Sequence, residues 1–193
     1  LHHIAVLAKA DLPIPDTMLL QQPFRYDIIE SHFGYPCIVK VRAGSQGVGV
    51  HLIENDDALR SLLDDIDDPE QTYNLIVQRF IKSSSGRDLR VIVIGGRAVG
   101  AMERIAKEGF KANVSQGGTA RPFEVTPEVE WLCLEIAKVC DMDVVGVDLL
   151  FDDDGFKICE INSSPGFQGM EKYVGVDVPD QIFKYIRMKA RQF

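Results

Sequence analysis

The sequence has little cysteine and no cysteine–histidine spacing that would bind zinc. None of the cysteines forms a CxxC pair, and each lies in an apolar run; they are Cys37, Cys133, Cys140 and Cys159. Such cysteines are typical of small buried hydrophobic side chains, and their spacing gives no sign of an oxidising compartment. We therefore predict buried cysteines and a cytoplasmic location.

The sequence also lacks long hydrophobic runs and an excess of positive charge. No stretch is long and apolar enough to cross a membrane, and the first ten residues do not follow the plan of a signal peptide. The formal net charge of -8 argues against a nucleic-acid binder, because such proteins need a basic face. A phosphate ligand stays compatible, since local lysines, backbone amides and metal ions can hold one.

Strand and helix patterns alternate along the 193 residues. Runs rich in β-branched residues are joined by tight turns, and helical stripes begin at capping residues such as Asn55 and Thr126. The pattern predicts an α+β fold with largely antiparallel sheets. Predicted strands span 17–20, 37–41, 50–53, 75–81, 89–94, 98–105, 144–151 and 156–161, with a long loop at 107–121. Predicted helices span 4–10, 23–33 and 177–191, and two more begin at Asn55 and Thr126.

A glycine-rich segment follows the strand that ends near Lys40. Its residues are Gly44, Ser45, Gln46, Gly47, Val48 and Gly49, and they could present backbone N–H groups to phosphate oxygens. Because the segment runs into a strand rather than a helix, we predict a hairpin tip that folds down as a lid, as in protein kinases. Lys40 either extends to water or faces a negative group, and the neighbouring loop favours phosphate. The alternative is an ordinary glycine-rich turn.

Three oxygen-bearing side chains interrupt the last predicted hairpin. Glu160 and Asn162 alternate with apolar residues and therefore share one face. A three-residue turn at 153–155 would pair Asp148 with Glu160 and place all three side chains together. A two-residue turn would put Asp148 on the opposite face.

Two carboxylates and an amide so close together need positive charge nearby. Hard oxygen ligands of this kind suit Mg²⁺ or Mn²⁺, so we predict a metal site at Asp148, Glu160 and Asn162. The alternatives are a solvated sheet face or a carboxylate neutralised by a structural arginine.

Taken together, these motifs resemble the RimK-like ATP-grasp ligases. The resemblance runs from about residue 4 to residue 186, and its most specific pieces are Glu103–Gly109 (ERIAKEG) and Glu160–Gly166 (EINSSPG). It implies an ATP-grasp fold in which two α+β lobes grip ATP, a small lobe with the lid at 1–77 and a large lobe with the metal site at 78–193. The family carries an additional N-terminal domain, and we expect the chain to be a fragment without it.

The resemblance also implies roles for individual residues. Asp148, Glu160 and Asn162 would hold two Mg²⁺ ions. Arg104 would offset charge on the transferring phosphoryl group or an oxyanion, and Arg90 would either assist or serve as a strand residue or salt-bridge partner. The residues implied to contact ATP are Lys40, the glycine-rich segment, Gln78, Arg79, Phe80, Ile81, Asp88, Lys111 and Asn113. The chain departs from the family pattern at Arg79-Phe80, where Glu-Tyr is common, and at Lys111-Ala112, where Arg-Ser is common.

The implied activity is the ATP-dependent joining of a carboxylate to an amine through an acyl phosphate. The resemblance suggests glutamate or another amino acid as one substrate, and a small molecule or a protein tail as the acceptor. A non-catalytic ATP-binding module on the same fold is the alternative, although the complete set of metal ligands argues against it. Whether the protein forms a homo-oligomer stays open.

Overall fold

The computed structural model describes residues 2–22, 24–41, 49–66, 74–112 and 117–191. These residues form six helices and nine strands in two antiparallel sheets, which confirms the predicted α+β class. The chain divides into two compact units, a larger one of Leu1–Ile14 with Lys82–Phe193 and a smaller one of Pro15–Ile81. Among the described residues, no helix combines the length and the apolar character that crossing a bilayer would need.

The smaller unit is a four-stranded sheet with two helices against one face. Its strands lie in the order β1 (Thr17–Gln21), β4 (Asn74–Arg79), β2 (Cys37–Val41) and β3 (Val50–Ile53), and its helices are α2 (Tyr26–Phe33) and α3 (Asp56–Ile66). Alternate strand residues such as Val39 and Val77 pack against Ile29 and Leu59 of the helices, and all four are fully buried. The amphipathic stripes of the two helices therefore complete the core of this unit.

The larger unit is a five-stranded sheet with helices on both faces. The strands lie in the order β7 (Thr119–Pro122), β6 (Ala98–Ile105), β5 (Arg87–Ile94), β8 (Val144–Asp152) and β9 (Gly155–Asn162). The helices are α1 (His2–Lys9), α4 (Pro127–Val139), α5 (Gln168–Val174) and α6 (Val178–Ala190). Leu7 of α1 and Ile136 of α4 share one core with Val91, whereas Met170 of α5 and Val178 of α6 share another with Ile92. Successive residues of β5 therefore pack in cores on opposite faces of the sheet.

The turn of the β8–β9 hairpin is shorter than predicted. Asp152 pairs with Gly155, so the turn holds two residues, whereas the predicted three-residue turn would have paired Asp152 with Phe156. Gly155 has a φ of 121°, a conformation that glycine adopts far more readily than other residues. It is the first residue of β9 rather than the last residue of the turn. Without a further change, this register would turn Asp148 to the face opposite Glu160.

A β-bulge restores the predicted pairing. Leu149 pairs with Ile158, but Asp148 pairs with Glu160, so Cys159 is an extra residue on β9. One extra residue shifts the alternation by one position and returns Asp148 and Glu160 to the same face. The predicted juxtaposition is confirmed, although its predicted cause, a three-residue turn, is wrong.

Several element boundaries differ from the predictions. The predicted loop at 107–121 contains the start of β7, because residues 119–122 pair with β6. Helix α2 begins at Tyr26 rather than at residue 23, and α5 was not predicted. The first fourteen residues, predicted to belong to the small lobe, lie in the larger unit, where Leu7 and Leu12 pack in the core beside α4.

The cysteines are free thiols, and two of them are fully buried. Burial raises the pKa of Cys37 to about 11 and that of Cys133 to about 12. Cys140 and Cys159 are half-buried. The prediction of buried hydrophobic cysteines is therefore confirmed for Cys37 and Cys133.

Candidate active site

Strand register places the predicted polar residues of the larger unit on one face of its sheet. Asp88 of β5 pairs with Arg104 of β6, and Arg90 of β5 pairs with Asp148 of β8. Glu160 of β9 pairs with Asp148 in turn. Five residues from four strands therefore share one polar surface, which continues the strand face formed by Ile92 and its neighbours.

Four of these residues form a network of ion pairs, which we call the site cluster: Asp88, Arg90, Arg104 and Asp148. Arg104 donates from Nε to Oδ1 of Asp88 at 2.7 Å and from Nη2 to Oδ2 at 2.6 Å. The same Nη2 lies 3.0 Å from Oδ2 of Asp148. Arg90 donates to both oxygens of Asp148, through Nε to Oδ1 and through Nη2 to Oδ2 at 2.7 Å. Paired donors of this kind fix both the position and the orientation of a carboxylate.

Water has little access to the site cluster. The side chains of its four members are between 5% and 13% exposed. Burial raises the pKa of Asp88 to about 6, although the guanidinium of Arg104 acts in the opposite direction. Burial lowers the pKa of Arg104, but the charges of Asp148 and Asp88 outweigh that effect and leave its pKa above the usual value. Two arginines therefore face two carboxylates with no net charge among the four.

Asn162 has an unusual environment at the edge of this surface. It lies on β9 opposite Gly146, and its Nδ2 is buried without a hydrogen-bond partner. A buried polar atom without a partner is costly, so this N–H donor suits an acceptor atom that the protein alone does not supply. Glu160, two residues before it, is exposed.

Gly146 leaves room on this surface for another chain segment because it has no side chain. A Cβ at Gly146 would lie 2.7 Å from the Cβ of Pro165, closer than two carbon atoms can approach. Glycine therefore allows the segment after β9 to pack against β8 beside Asn162. Gly146 and Pro165 were not predicted to have a role in the site, although Pro165 lies in the EINSSPG motif; the detectable signal is a glycine inside an apolar strand, which often marks the close approach of another chain segment.

The oxygen donors on this face fit a divalent metal ion. Within the described residues, no group of three His, Cys, Asp or Glu side chains could hold a metal, so the predicted set depends on the amide of Asn162. A carboxylate has about four acceptor positions. Asp148 uses three of them for Arg90 and Arg104, which leaves one on Oδ1. With Glu160 and Asn162 beside it, the set fits Mg²⁺ or Mn²⁺.

The other predicted ATP contacts lie mainly in the smaller unit. Lys40 is half-buried near the end of β2, and Gly49 accepts a backbone hydrogen bond of 2.7 Å from Val41. Gln78 is buried and donates to Oγ1 of Thr17 at 2.9 Å. The predicted positions Gly44, Ser45, Gln46, Gly47 and Asn113 lie outside the described residues.

The last residue of β4 is anchored to the residue before β1. The backbone N–H of Arg79 donates to the carbonyl of Asp16 at 2.9 Å, and its side chain pairs with the Asp16 carboxylate at 3.1 Å. Phe80 and Ile81, which follow, are half-buried. Lys111 is half-buried in the larger unit, with its Nζ 5.4 Å from the centre of the Phe110 ring.

The family model for the RimK-like ATP-grasp domain matches residues 1–186. The chain belongs to the RimK-like ATP-grasp family. It is 38% identical over 193 residues to a probable alpha-L-glutamate ligase of Thioalkalivibrio sulfidiphilus, covering 99% of this chain and 64% of that protein. A protein of the same description from Legionella pneumophila is 37% identical over 190 residues, covering 97% of this chain and 62% of its own length. The chain thus spans slightly less than two thirds of these relatives.

Solved structures show the same fold at lower identity. The ATP-grasp ligase PsnB, complexed with a minimal precursor, Mg and ADP, superposes with a TM-score of 0.71 at 22% identity, covering 95% of this chain and 57% of that one. The D-alanine–D-alanine ligase of Bacillus anthracis gives a TM-score of 0.74 at 18% identity, covering 99% and 68%. The predicted ATP-grasp fold is therefore confirmed.

Proposed function

We propose that this domain binds ATP and serves an ATP-dependent ligase that joins a carboxylate to an amine. The observation that carries the proposal is the site cluster beside Glu160 and Asn162, an oxygen-rich site with buried arginines on a fold shared with ligases. The names of the relatives favour glutamate as the added amino acid. PsnB, whose structure contains a precursor peptide, makes a peptide acceptor a reasonable candidate beside small-molecule amines.

The proposed reaction has two steps. A substrate carboxylate oxygen attacks the γ-phosphorus of ATP, which forms an acyl phosphate and releases ADP. An amine then attacks the acyl carbon and loses a proton, and inorganic phosphate leaves as the amide forms. Little covalent work falls to the protein in such a reaction, so positioning and compensation of charge supply the rate.

The residues of the larger unit would divide this work between them. Asp148, Glu160 and Asn162 would hold Mg²⁺, which compensates charge on phosphate oxygens when bound. Arg104 and Arg90 keep Asp148 in one orientation and place two positive charges in a site with little water, where charge is most effective.

The residues of the smaller unit would bind the nucleotide. Lys40 and the glycine-rich segment would contact the phosphates, and the backbone of Arg79–Ile81 would meet the adenine. The hydrogen bond from Arg79 to Asp16 holds the start of that segment in place. In the larger unit, Lys111 and Asn113 would lie near the phosphates.

A calorimetric titration tests the nucleotide and metal site. A non-hydrolysable ATP analogue is added to the protein with and without Mg²⁺, and to Glu160→Gln and Asn162→Ala variants. Magnesium-dependent binding that either change weakens about tenfold or more supports the proposal. Asp153→Asn is the matched control, because Asp153 is exposed at the tip of the same hairpin and should bind as wild type does. Binding that ignores both Mg²⁺ and the two changes would contradict the metal site.

Product analysis tests the reaction itself. The protein is incubated with ATP, glutamate and candidate amine acceptors, and ADP release is measured with each partner omitted. ADP release that requires both the carboxylate and the amine supports ligation. Tight nucleotide binding without turnover over a broad set of acceptors would indicate a non-catalytic ATP-binding module instead.

A further inference from the structure

The metal site of the proposed function contains a carboxylate that already has cationic partners. Arg90 contacts both oxygens of Asp148, and Arg104 contacts one of them. Glu160 differs, because no described residue forms an ion pair or hydrogen bond with its exposed carboxylate. Asp148 is thus neutralised by the protein itself, and Glu160 is not.

The charge count makes this difference important for metal binding. Asp88 and Asp148 contribute two negative charges, and Arg90 and Arg104 contribute two positive charges, so the site cluster is neutral. Glu160 then supplies the only remaining formal charge among the proposed ligands and the site cluster. A nearby positive charge disfavours a second cation, most strongly where water is scarce, and the side chains of Arg90 and Asp148 are only 12% and 5% exposed.

We propose that Arg90 is the resident counter-cation of Asp148, and that it keeps the affinity of the nucleotide-free site for divalent metal low. The inference rests on the proposed function. Its consequence is an order of binding: the divalent ion arrives with the nucleotide, whose phosphate oxygens supply the negative charge that Arg90 has compensated. Arg90 is therefore a positioning residue that acts through Asp148. Arg104 differs, because it also pairs with Asp88.

Mn²⁺ binding without nucleotide provides the test, followed by electron paramagnetic resonance of the free ion. We expect weak binding by the wild-type protein and binding about tenfold tighter or more by Arg90→Met, because removal of one charge exposes Asp148 to the ion. Arg90→Lys keeps the charge but loses the paired geometry, so its affinity should lie between the two. Arg87→Met, an exposed arginine on the same strand, is the matched control and should leave Mn²⁺ affinity unchanged.

A double variant tests where the additional Mn²⁺ binds. Arg90→Met combined with Glu160→Gln should lose most of the gain; if the gain persists, the ion binds elsewhere and the proposal fails. Equal or weaker Mn²⁺ binding by a folded Arg90→Met protein, checked by circular dichroism, would also overturn it. If Arg90→Met does not fold, the order of wild type and Arg90→Lys decides, and affinity that is no tighter for Lys contradicts the proposal.

A nucleotide titration in parallel separates this inference from the proposed function. The ATP analogue with Mn²⁺ should bind the wild-type protein far more tightly than Mn²⁺ alone does. If neither protein binds the analogue, the proposed function fails. If the analogue binds but wild-type Mn²⁺ affinity is equally high without it, only the role of Arg90 fails.

Discussion

Two arginine–carboxylate clusters lie on opposite faces of the same five-stranded sheet. The site cluster occupies one face, and a second group, which we call the rim cluster, occupies the other: Glu103, Arg87 and Arg121. Glu103 is buried and accepts from Nε of Arg121 at 2.7 Å, while Nη1 of Arg87 lies 3.6 Å away. The two clusters share strands β5 and β6 but differ in how much water reaches their arginines.

That difference in burial separates their roles. The rim arginines are 43% and 66% exposed, so water still reaches both of them, and Arg87 also stacks over the Phe151 ring at 4.3 Å. The site arginines are 12% and 13% exposed and have lost theirs. Buried ion pairs are seldom the most stable way to fill a protein interior. The rim cluster needs only a structural explanation, whereas the site cluster is better explained by function.

The largest predicted effect comes from removing the arginine that bridges two carboxylates. Arg104→Met leaves Asp88 buried without its partner and takes one of the two arginines from Asp148. The free energy of unfolding at neutral pH should fall by about 3–5 kcal/mol, as expected for breaking a buried ion pair. Urea unfolding followed by circular dichroism measures it. A loss below about 1 kcal/mol would show that the site cluster behaves like an exposed pair.

The next effect is the pH dependence of Asp88. Its folded pKa of about 6 lies above the ordinary value of 3.8. The folded protein therefore binds more protons between these values, so this group's contribution to stability is present at low pH and is lost as pH rises through about 6. Its slope should reach at most about 1.4 kcal/mol per pH unit.

Comparison with Asp88→Asn isolates this contribution from those of the other carboxylates. Urea unfolding of both proteins between about pH 4 and pH 7 should give a difference, wild type minus variant, that decreases as pH rises. A difference that increases with pH would mean that the ion pair with Arg104 dominates and holds the Asp88 pKa below its ordinary value.

A substitution at Gly146 tests the packing of the site face without altering its charge. Gly146→Ala would bring a methyl group within 2.7 Å of Pro165 and force the segment after β9 away from β8. We expect a loss of about 1–3 kcal/mol in stability, as for other overpacked positions, and weaker nucleotide binding in the presence of Mg²⁺. Gly166→Ala is the control, because a Cβ there meets no atom within 4 Å. Equal effects of the two changes would contradict close packing at Gly146.

The sequence alone predicted which residues meet on the site face better than it predicted how they meet. Alternation placed Glu160 and Asn162 together, and caps such as Thr126, which accepts from the N–H of Val129 at 3.3 Å, marked the helix starts. The pairing of Asp148 with Glu160 depends on a short turn and a bulge at Cys159 that cancel each other. Nothing local in the sequence signals a bulge at Cys159, because a bulge arises from the pairing of two strands, here β8 and β9, and leaves the extra residue unpaired.

The sequence alone also did not predict which arginine pairs with which carboxylate. Asp88 matched a nucleotide contact of the family, yet its carboxylate is held by Arg104, sixteen residues away on the next strand. The sequence allows Arg90 either a charge-compensating role or a salt bridge, and the structure shows its bidentate pairing with Asp148, 58 residues further along. Such contacts follow from strand order and register, which depend on the whole fold.

The smallest predicted effect belongs to the rim cluster. Arg121→Met removes a paired donor from Glu103, but the arginine is 66% exposed and Arg87 stays near the same carboxylate. Its removal should therefore cost less than about 1 kcal/mol, and the cost should shrink further in high salt, where exposed charges are screened. Urea unfolding at low and high salt measures both quantities, and Mn²⁺ binding should not change. A loss as large as that of Arg104→Met would mean that the burial of the Glu103 carboxylate, rather than the exposure of its arginine, determines the cost in stability. The two clusters would then differ only in metal binding.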